Sequence, residues 1–273
     1  MSDEYRISAF ADEVSDNPAV QFETLSRLGI GEIQLRGAWG VNVMQLSMAQ
    51  LRELRTIAES NGLGFHAIGS PLGKVDIESP EWESLDGVRT AASAAHAVGC
   101  DRVRVFSFYR GPDVNAESVR ERVIGRLGAM CELAESAGVV LIHENERGIY
   151  GDTAVRCRDL FDNLPSLGGC FDFANFVQVG QDTVGAWQTL RDRTLYFDVK
   201  DAVAATGKVV PAGEGDGRLV EIFADALGTG FGDRFNLEPH LKTAGQFGGT
   251  TGPELLEVAM EALLATLRQA QGI

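Results

Sequence analysis

Four apolar runs in the second half of the chain end in carboxylates: LIHENE (141–146), CFDFAN (170–175), YFDVKD (196–201) and NLEPHL (236–241). Read as strands, their side chains alternate between two faces. Glu144 then shares a face with Glu146, Cys170 with Asp172, Asp198 with Lys200, and Asn236 with Glu238 and His240. His143 and Asn145 point the other way and are expected to tie loops. Neighbouring strands can bring Glu144, Asp172, Asp198 and Glu238 to one point. Four carboxylates there raise one another's pKa and cannot all stay ionised unaided. A divalent cation resolves that conflict, and oxygen ligands suit Mg²⁺ or Mn²⁺ better than a soft-ligand metal. One acid at a strand end is usually a helix cap or a solvated loop residue. Four in consecutive strands, each after an apolar run, point to a shared site.

The elements that must position these acids show themselves in the glycines. Short apolar runs follow Gly29 (EIQLR), Gly62 (GFHAI), Gly99 (RVRVF), Gly138 (VVLIHEN), Gly169 (CFDF) and Gly228 (RFNLE). The intervals are similar except the last, which is about twice as long and contains LYFDVKD (195–201). With the opening run YRISAF, eight strands are expected, each glycine closing the helix before it. Asn17-Pro18 and Ser79-Pro80 place a capping residue before a proline at the first helical position. Ser47 with Gln50, and Thr251 with Glu254, have capping-box spacing. Amphipathic stretches at 48–60, 83–98, 116–136 and 253–269 read as helices. Alternating strands and helices predict an α/β fold, a single (β/α)8 TIM barrel over 1–273. An open doubly wound sheet has the same alternation. No GxGxxG or GxxxxGK[ST] stands at a strand–helix junction, which weakens a nucleotide-binding version.

Bulk properties narrow the partners. The net charge of −15 disfavours nucleic acid and anionic membrane surfaces. No apolar run is long enough to span a bilayer, and MSDEYRISAF lacks the basic and apolar regions of a signal peptide. Cys100, Cys131, Cys157 and Cys170 show no CxxC spacing and read as reduced thiols, so a cytoplasmic protein is expected.

The sequence resembles the xylose isomerase-like TIM barrel family, the sugar phosphate isomerase/epimerase group. That group also contains inosose dehydratase and isomerase, ketose 3-epimerases and the endonuclease IV fold. FADEVSD (10–16), GSPLGK (69–74), VRVFSFY (103–109), HENERGIYGD (143–152), FDFANF (171–176), DVKDA (198–202), PAGEGDG (211–217) and LEPHL (237–241) carry the likeness across the chain. The resemblance implies one divalent metal held by Glu144, Asp172, Asp198 and Glu238. Mn²⁺ is the commonest choice, with Mg²⁺, Co²⁺ or Zn²⁺ as alternatives. Family members commonly read His-x-Lys-Asp where this chain reads Asp198-Val199-Lys200-Asp201. Four carboxylates around a divalent ion total −2, so Lys200, Arg104 and Arg36 gain importance as nearby cations.

The resemblance further implies proton transfer beside a carbonyl, through an enediolate, with Glu144 and Glu238 as base and acid in turn. His66, His240 and Glu13 are candidate substrate contacts; His240 is also a candidate replacement for the absent histidine ligand. Trp39 has a sugar-stacking role or a packing role open to it. The loop VVPAGEGDG (209–217) looks like a phosphate cradle. However, Glu214 and Asp216 would repel phosphate, and no Lys or Arg lies between its glycines. Asp216 is instead expected to cap a helix near 218–227. The implied substrate is thus an unphosphorylated sugar, an inositol-derived ketone or a keto-glycoside. A metal-dependent sugar or cyclitol isomerase or epimerase is the first reading. The alternatives are a dehydratase or 3-keto-glycoside lyase on the same scaffold, and a non-catalytic sugar- or protein-binding barrel. A DNA repair endonuclease fits four histidines and this charge poorly. A homodimer or homotetramer is expected by analogy with such barrels.

Overall fold

Runs rich in Val, Ile, Leu and Phe pack well on a pleated surface, and here eight of them pair as parallel strands. The computed structural model describes residues 5–231, 234–245 and 248–272. The strands are β1 (Arg6–Ala9), β2 (Glu32–Leu35), β3 (Gly64–Ile68), β4 (Arg102–Val105), β5 (Val140–Glu144), β6 (Gly168–Asp172), β7 (Thr194–Val199) and β8 (Arg234–Leu237). Each pairs with its neighbours in chain order, and β8 closes on β1 with Asn236 opposite Ser8. The result is a closed (β/α)8 barrel, not an open sheet.

Around it run α1 (Pro18–Arg27), α2 (Met48–Ser60), α3 (Glu81–Val98), α4 (Ala116–Ser136), α5 (Ala154–Asn163), α6 (Phe173–Gln178), α7 (Thr183–Leu190), α8 (Leu219–Gly228) and α9 (Pro253–Gln271). Asn17 accepts from the Ala19 amide, and Ser47 with Gln50 forms the reciprocal capping box. Gly29, Gly62, Gly99 and Gly138 take positive φ after their helices. Other expected caps are absent, for specific reasons. Pro80 itself occupies the cap position of α3, one residue later than the Ser79-Pro80 pair predicts, and a proline side chain offers no acceptor. Gly252 precedes α9, because the Thr251 hydroxyl donates to Glu13 at 2.5 Å. Arg218 precedes α8, and Asp216 accepts instead from the Ala204 amide. Gly169 lies inside β6 and Gly228 inside α8, whose positive-φ stop is Gly230.

Strand alternation sorts the barrel into two surfaces. Outward residues such as Ile33, Leu35, Val103, Val105, Phe171, Phe197 and Phe235 join the helices in the main core. Phe197 lies within ring contact of Phe171, Phe173, Trp187, Phe223, Phe231 and Phe235. The inward surface is largely polar. Gln34 donates to Tyr196 at 3.1 Å, Ser8 donates to Asn236 at 2.9 Å, and the His66 ring meets Tyr196 edge-on. Among the described residues, no helix is long and apolar enough to cross a membrane.

Candidate active site

The four acids meet where the strands end. Glu144 and Asp172 are the last residues of β5 and β6, Asp198 lies near the end of β7, and Glu238 follows β8. One oxygen from each lies within 4.8 Å of the others, and all four side chains are buried. This is the carboxyl end of the strands, where barrel enzymes build their sites.

Cations interleave with them. Lys200 Nζ stands 2.7 Å from Asp172 Oδ2 and 2.5 Å from Glu238 Oε2. Arg104 Nη1 lies 3.0 Å from Glu144 Oε2 and 3.7 Å from Glu238 Oε1. Arg36 reaches Glu238 at 3.3 Å while its Nε donates to Asp12 at 2.8 Å. Both guanidinium groups lie over the Phe10 ring, which explains why FADEVSD belongs with the site. Asp198 Oδ1 accepts from Asn236 at 2.7 Å, whereas its Oδ2 is buried and accepts no hydrogen bond.

These surroundings separate the acids. Burial raises Glu144, and the Arg104 guanidinium only partly offsets it. Burial also holds Asp172 and Asp198 well above the ordinary carboxylate range. Burial alone would raise Glu238 too, but Lys200, His240 and Arg104 together hold it well below.

Most expected residues converge. A cavity of about 520 Å³ is lined by Arg36, Arg104, Glu144, Lys200, Glu238 and His240, among others. Glu13 is buried behind it: its Oε2 accepts from the His240 amide at 2.9 Å, and its Oε1 lies 3.2 Å from His240 Nε2. Burial raises its pKa. His66 and Trp39 do not line this cavity. His66 sits in the barrel interior against Tyr196, and Trp39 packs against the main core. His143 and Asn145 face away as expected. His143 Nε2 pairs with the Ser107 hydroxyl, and Asn145 exchanges two hydrogen bonds with the Asp172 backbone.

Sequence reasoning missed Asn175, Lys74, Tyr109, Arg110 and Arg147, all of which line the cavity. Asn175 had a signal. Asp172 caps α6 by accepting from the Asn175 amide, three residues on, and that spacing turns the Asn175 side chain back to donate to Glu144 at 3.2 Å. The loop VVPAGEGDG is no phosphate cradle, for a further reason. The amides of Gly213, Gly215 and Gly217 already donate to the Asp201 carboxylate.

The residues fit a divalent cation. Every donor is a carboxylate oxygen, and Asp198 keeps one buried oxygen without a donor. Lys200, Arg104 and Arg36 contact the cluster, and Arg36 is shared with Asp12 and Glu13, so the three cations leave the four carboxylates only partly compensated.

No curated protein matches the chain. Solved structures share its fold at low identity. A xylose isomerase-like TIM barrel protein from Mycobacterium smegmatis, in complex with magnesium, superposes with a TM-score of 0.73 at 18% identity over 98% of both chains. The probable 3-DHS dehydratase AsbF of Bacillus anthracis gives 0.69 at 20%, covering 89% of this chain and 92% of its own. D-psicose 3-epimerase of Clostridium cellulolyticum H10, with D-tagatose, gives 0.71 at 14%, covering 96% and 98%. The sequence itself matches one family across residues 22–265, and the chain is therefore a member of the xylose isomerase-like TIM barrel family.

Proposed function

We propose that this protein is a divalent-metal-dependent isomerase or epimerase of a sugar or cyclitol. The observation that carries the reading is the buried quartet Glu144, Asp172, Asp198 and Glu238, gathered within 4.8 Å at the strand ends. These four would hold the ion, Mn²⁺ or Mg²⁺ being the best match for an all-oxygen set. When bound, the ion supplies Lewis acidity toward the substrate's carbonyl and neighbouring hydroxyl oxygens.

The chain's own groups divide the proton work. Glu238, held ionised, takes the proton from the carbon beside the carbonyl. Glu144, oriented by Asn175 on the other side of the site, acts as the acid and returns a proton to the resulting enediolate. The reverse reaction exchanges the roles. Arg104 and Lys200 offset negative charge that builds up in between, in a site where little water screens them. Asn175 orients Glu144, and Glu13 orients His240, which lines the cavity beside Glu238.

The test is turnover of a ketose and inosose panel with Mn²⁺ added. Glu144→Gln and Glu238→Gln should each lower turnover by a factor on the order of 10² to 10⁴, with unchanged melting temperature. Chelation should abolish activity and Mn²⁺ should restore it. Product mass separates the reactions: unchanged mass means isomerisation or epimerisation, and loss of water or an aglycone means a lyase. Full activity in both Gln variants overturns the assignment.

A further inference from the structure

The cavity has a second pole. Among the described residues, six Lys and Arg line it against three Asp and Glu, although acids outnumber bases 39 to 24 in the chain. In a protein of charge −15, that concentration of positive charge is not ordinary surface solvation. Arg36, Arg104 and Lys200 are occupied by the acid quartet and its neighbours. The other three, Lys74, Arg110 and Arg147, belong to the loops after β3, β4 and β5.

These loops are fastened to one another. Tyr109 bridges Asp76 on one side and Ile149 on the other, and the Arg110 amide donates to the Gly148 carbonyl. Gly73 is required here: its φ is +86°, and a Cβ would stand 2.0 Å from the Phe106 carbonyl oxygen. The fastening delivers Lys74 over the Phe106 ring with its ammonium 2.8 Å from Glu146. Arg110 donates to Asp152 and to the Val114 carbonyl, and its buried Nε has no acceptor. Arg147 is exposed and makes no ion pair among the described residues. Arg156 also contacts Asp152. Arg156 does not itself line the cavity; the three lining cations of this pole face two carboxylates, Glu146 and Asp152, and the pole is net positive by one charge.

A neutral polyol needs mixed donors and acceptors. A guanidinium offers donors only, in a planar fork that matches an oxyanion. We propose that the substrate carries an anionic group, a carboxylate or a phosphate, at the end remote from its reacting carbonyl, and that Arg147 and Arg110 hold it. The assignment of which end reacts rests on the acid quartet being the reaction centre. The unphosphorylated substrate expected from the sequence came from a different loop, 209–217, which contributes no cation to this cavity and places only Val209 in its lining.

The test uses three matched probes: D-fructose, D-fructose 6-phosphate and D-fructuronate, which carries a carboxylate at the same carbon. Binding is measured by calorimetry to the wild-type protein, to Glu144→Gln and to Arg147→Glu. Arg147 is chosen because an exposed side chain leaves the fold undisturbed. At least one anionic probe should bind wild type about tenfold or more tighter than fructose at low salt. That preference should shrink as NaCl is added and vanish in Arg147→Glu. Preference for the 6-phosphate identifies a phosphorylated substrate, and preference for the uronate a sugar acid. If neither anion outbinds fructose, or if Arg147→Glu keeps the preference, the proposal is overturned. Anion preference in Glu144→Gln, together with no turnover of any substrate by wild type, sinks the isomerase reading and leaves the subsite standing. Turnover with no anion preference does the reverse.

Discussion

Asp198 shows how one side chain sets the character of a centre. Asn236 donates to its Oδ1, and Ser8 donates in turn to Asn236, so the carboxylate is held with Oδ2 turned free. The family resemblance puts a histidine there, and an oxygen in place of a ring nitrogen hardens the donor set. If the proposed centre is right, Asp198→His should shift the metal preference toward Zn²⁺ and Co²⁺ by about tenfold or more relative to the wild-type protein, read by competition titration of purified protein. An unchanged preference would remove Asp198 from the ligand set. The acids were legible in the sequence because strand alternation constrains them. Lys74, Arg110 and Arg147 were not, because their loops' paths depend on contacts such as Tyr109 with Ile149, far apart in sequence. Glu13 was legible as a candidate but not as buried. Its burial depends on Thr251 and His240, more than two hundred residues away.

At the scale of elements, each acid is only as well placed as the strand behind it. Phe171 and Phe197 immediately precede Asp172 and Asp198 and point outward into the aromatic cluster. Their packing sets the height at which the two carboxylates emerge. Phe197→Ala should cost about 3–5 kcal/mol in urea unfolding, since six aromatic neighbours lose a partner and a cavity remains. A loss below about 1 kcal/mol would mean the cluster collapses freely around the gap. Helix spans were legible almost to the residue, as with α2 and α4, because apolar periodicity reports the buried face. Caps were less so. Thr251 and Asp216 have capping chemistry, but distant partners, Glu13 and Ala204, took their oxygens.

For the molecule as a whole, closure of the barrel buries ionisable groups that an unfolded chain exposes. Burial lowers His143 to about 3 and holds His66 well below its ordinary value. As pH falls below about 6.5 the unfolded chain takes up protons that the folded one refuses. These histidines therefore cost no stability above that pH, and below it each removes about 1.4 kcal/mol per pH unit, for His143 until about pH 3. The raised carboxylates Glu13, Glu144, Asp172 and Asp198 act in the opposite sense, so the readout is a difference. Between pH 6 and 4, urea unfolding of His143→Gln should lose stability less steeply than wild type; equal slopes would contradict a neutral buried imidazole. One feature just past β7 bears on the same economy of order. Because Asp201 grips the amides of Gly213, Gly215 and Gly217, that glycine-rich segment surrenders its freedom once, during folding. The chain leaving β7, the strand that carries Asp198 toward the site, is thereby anchored at its next turn as soon as the barrel closes, with no wandering segment left to tame there.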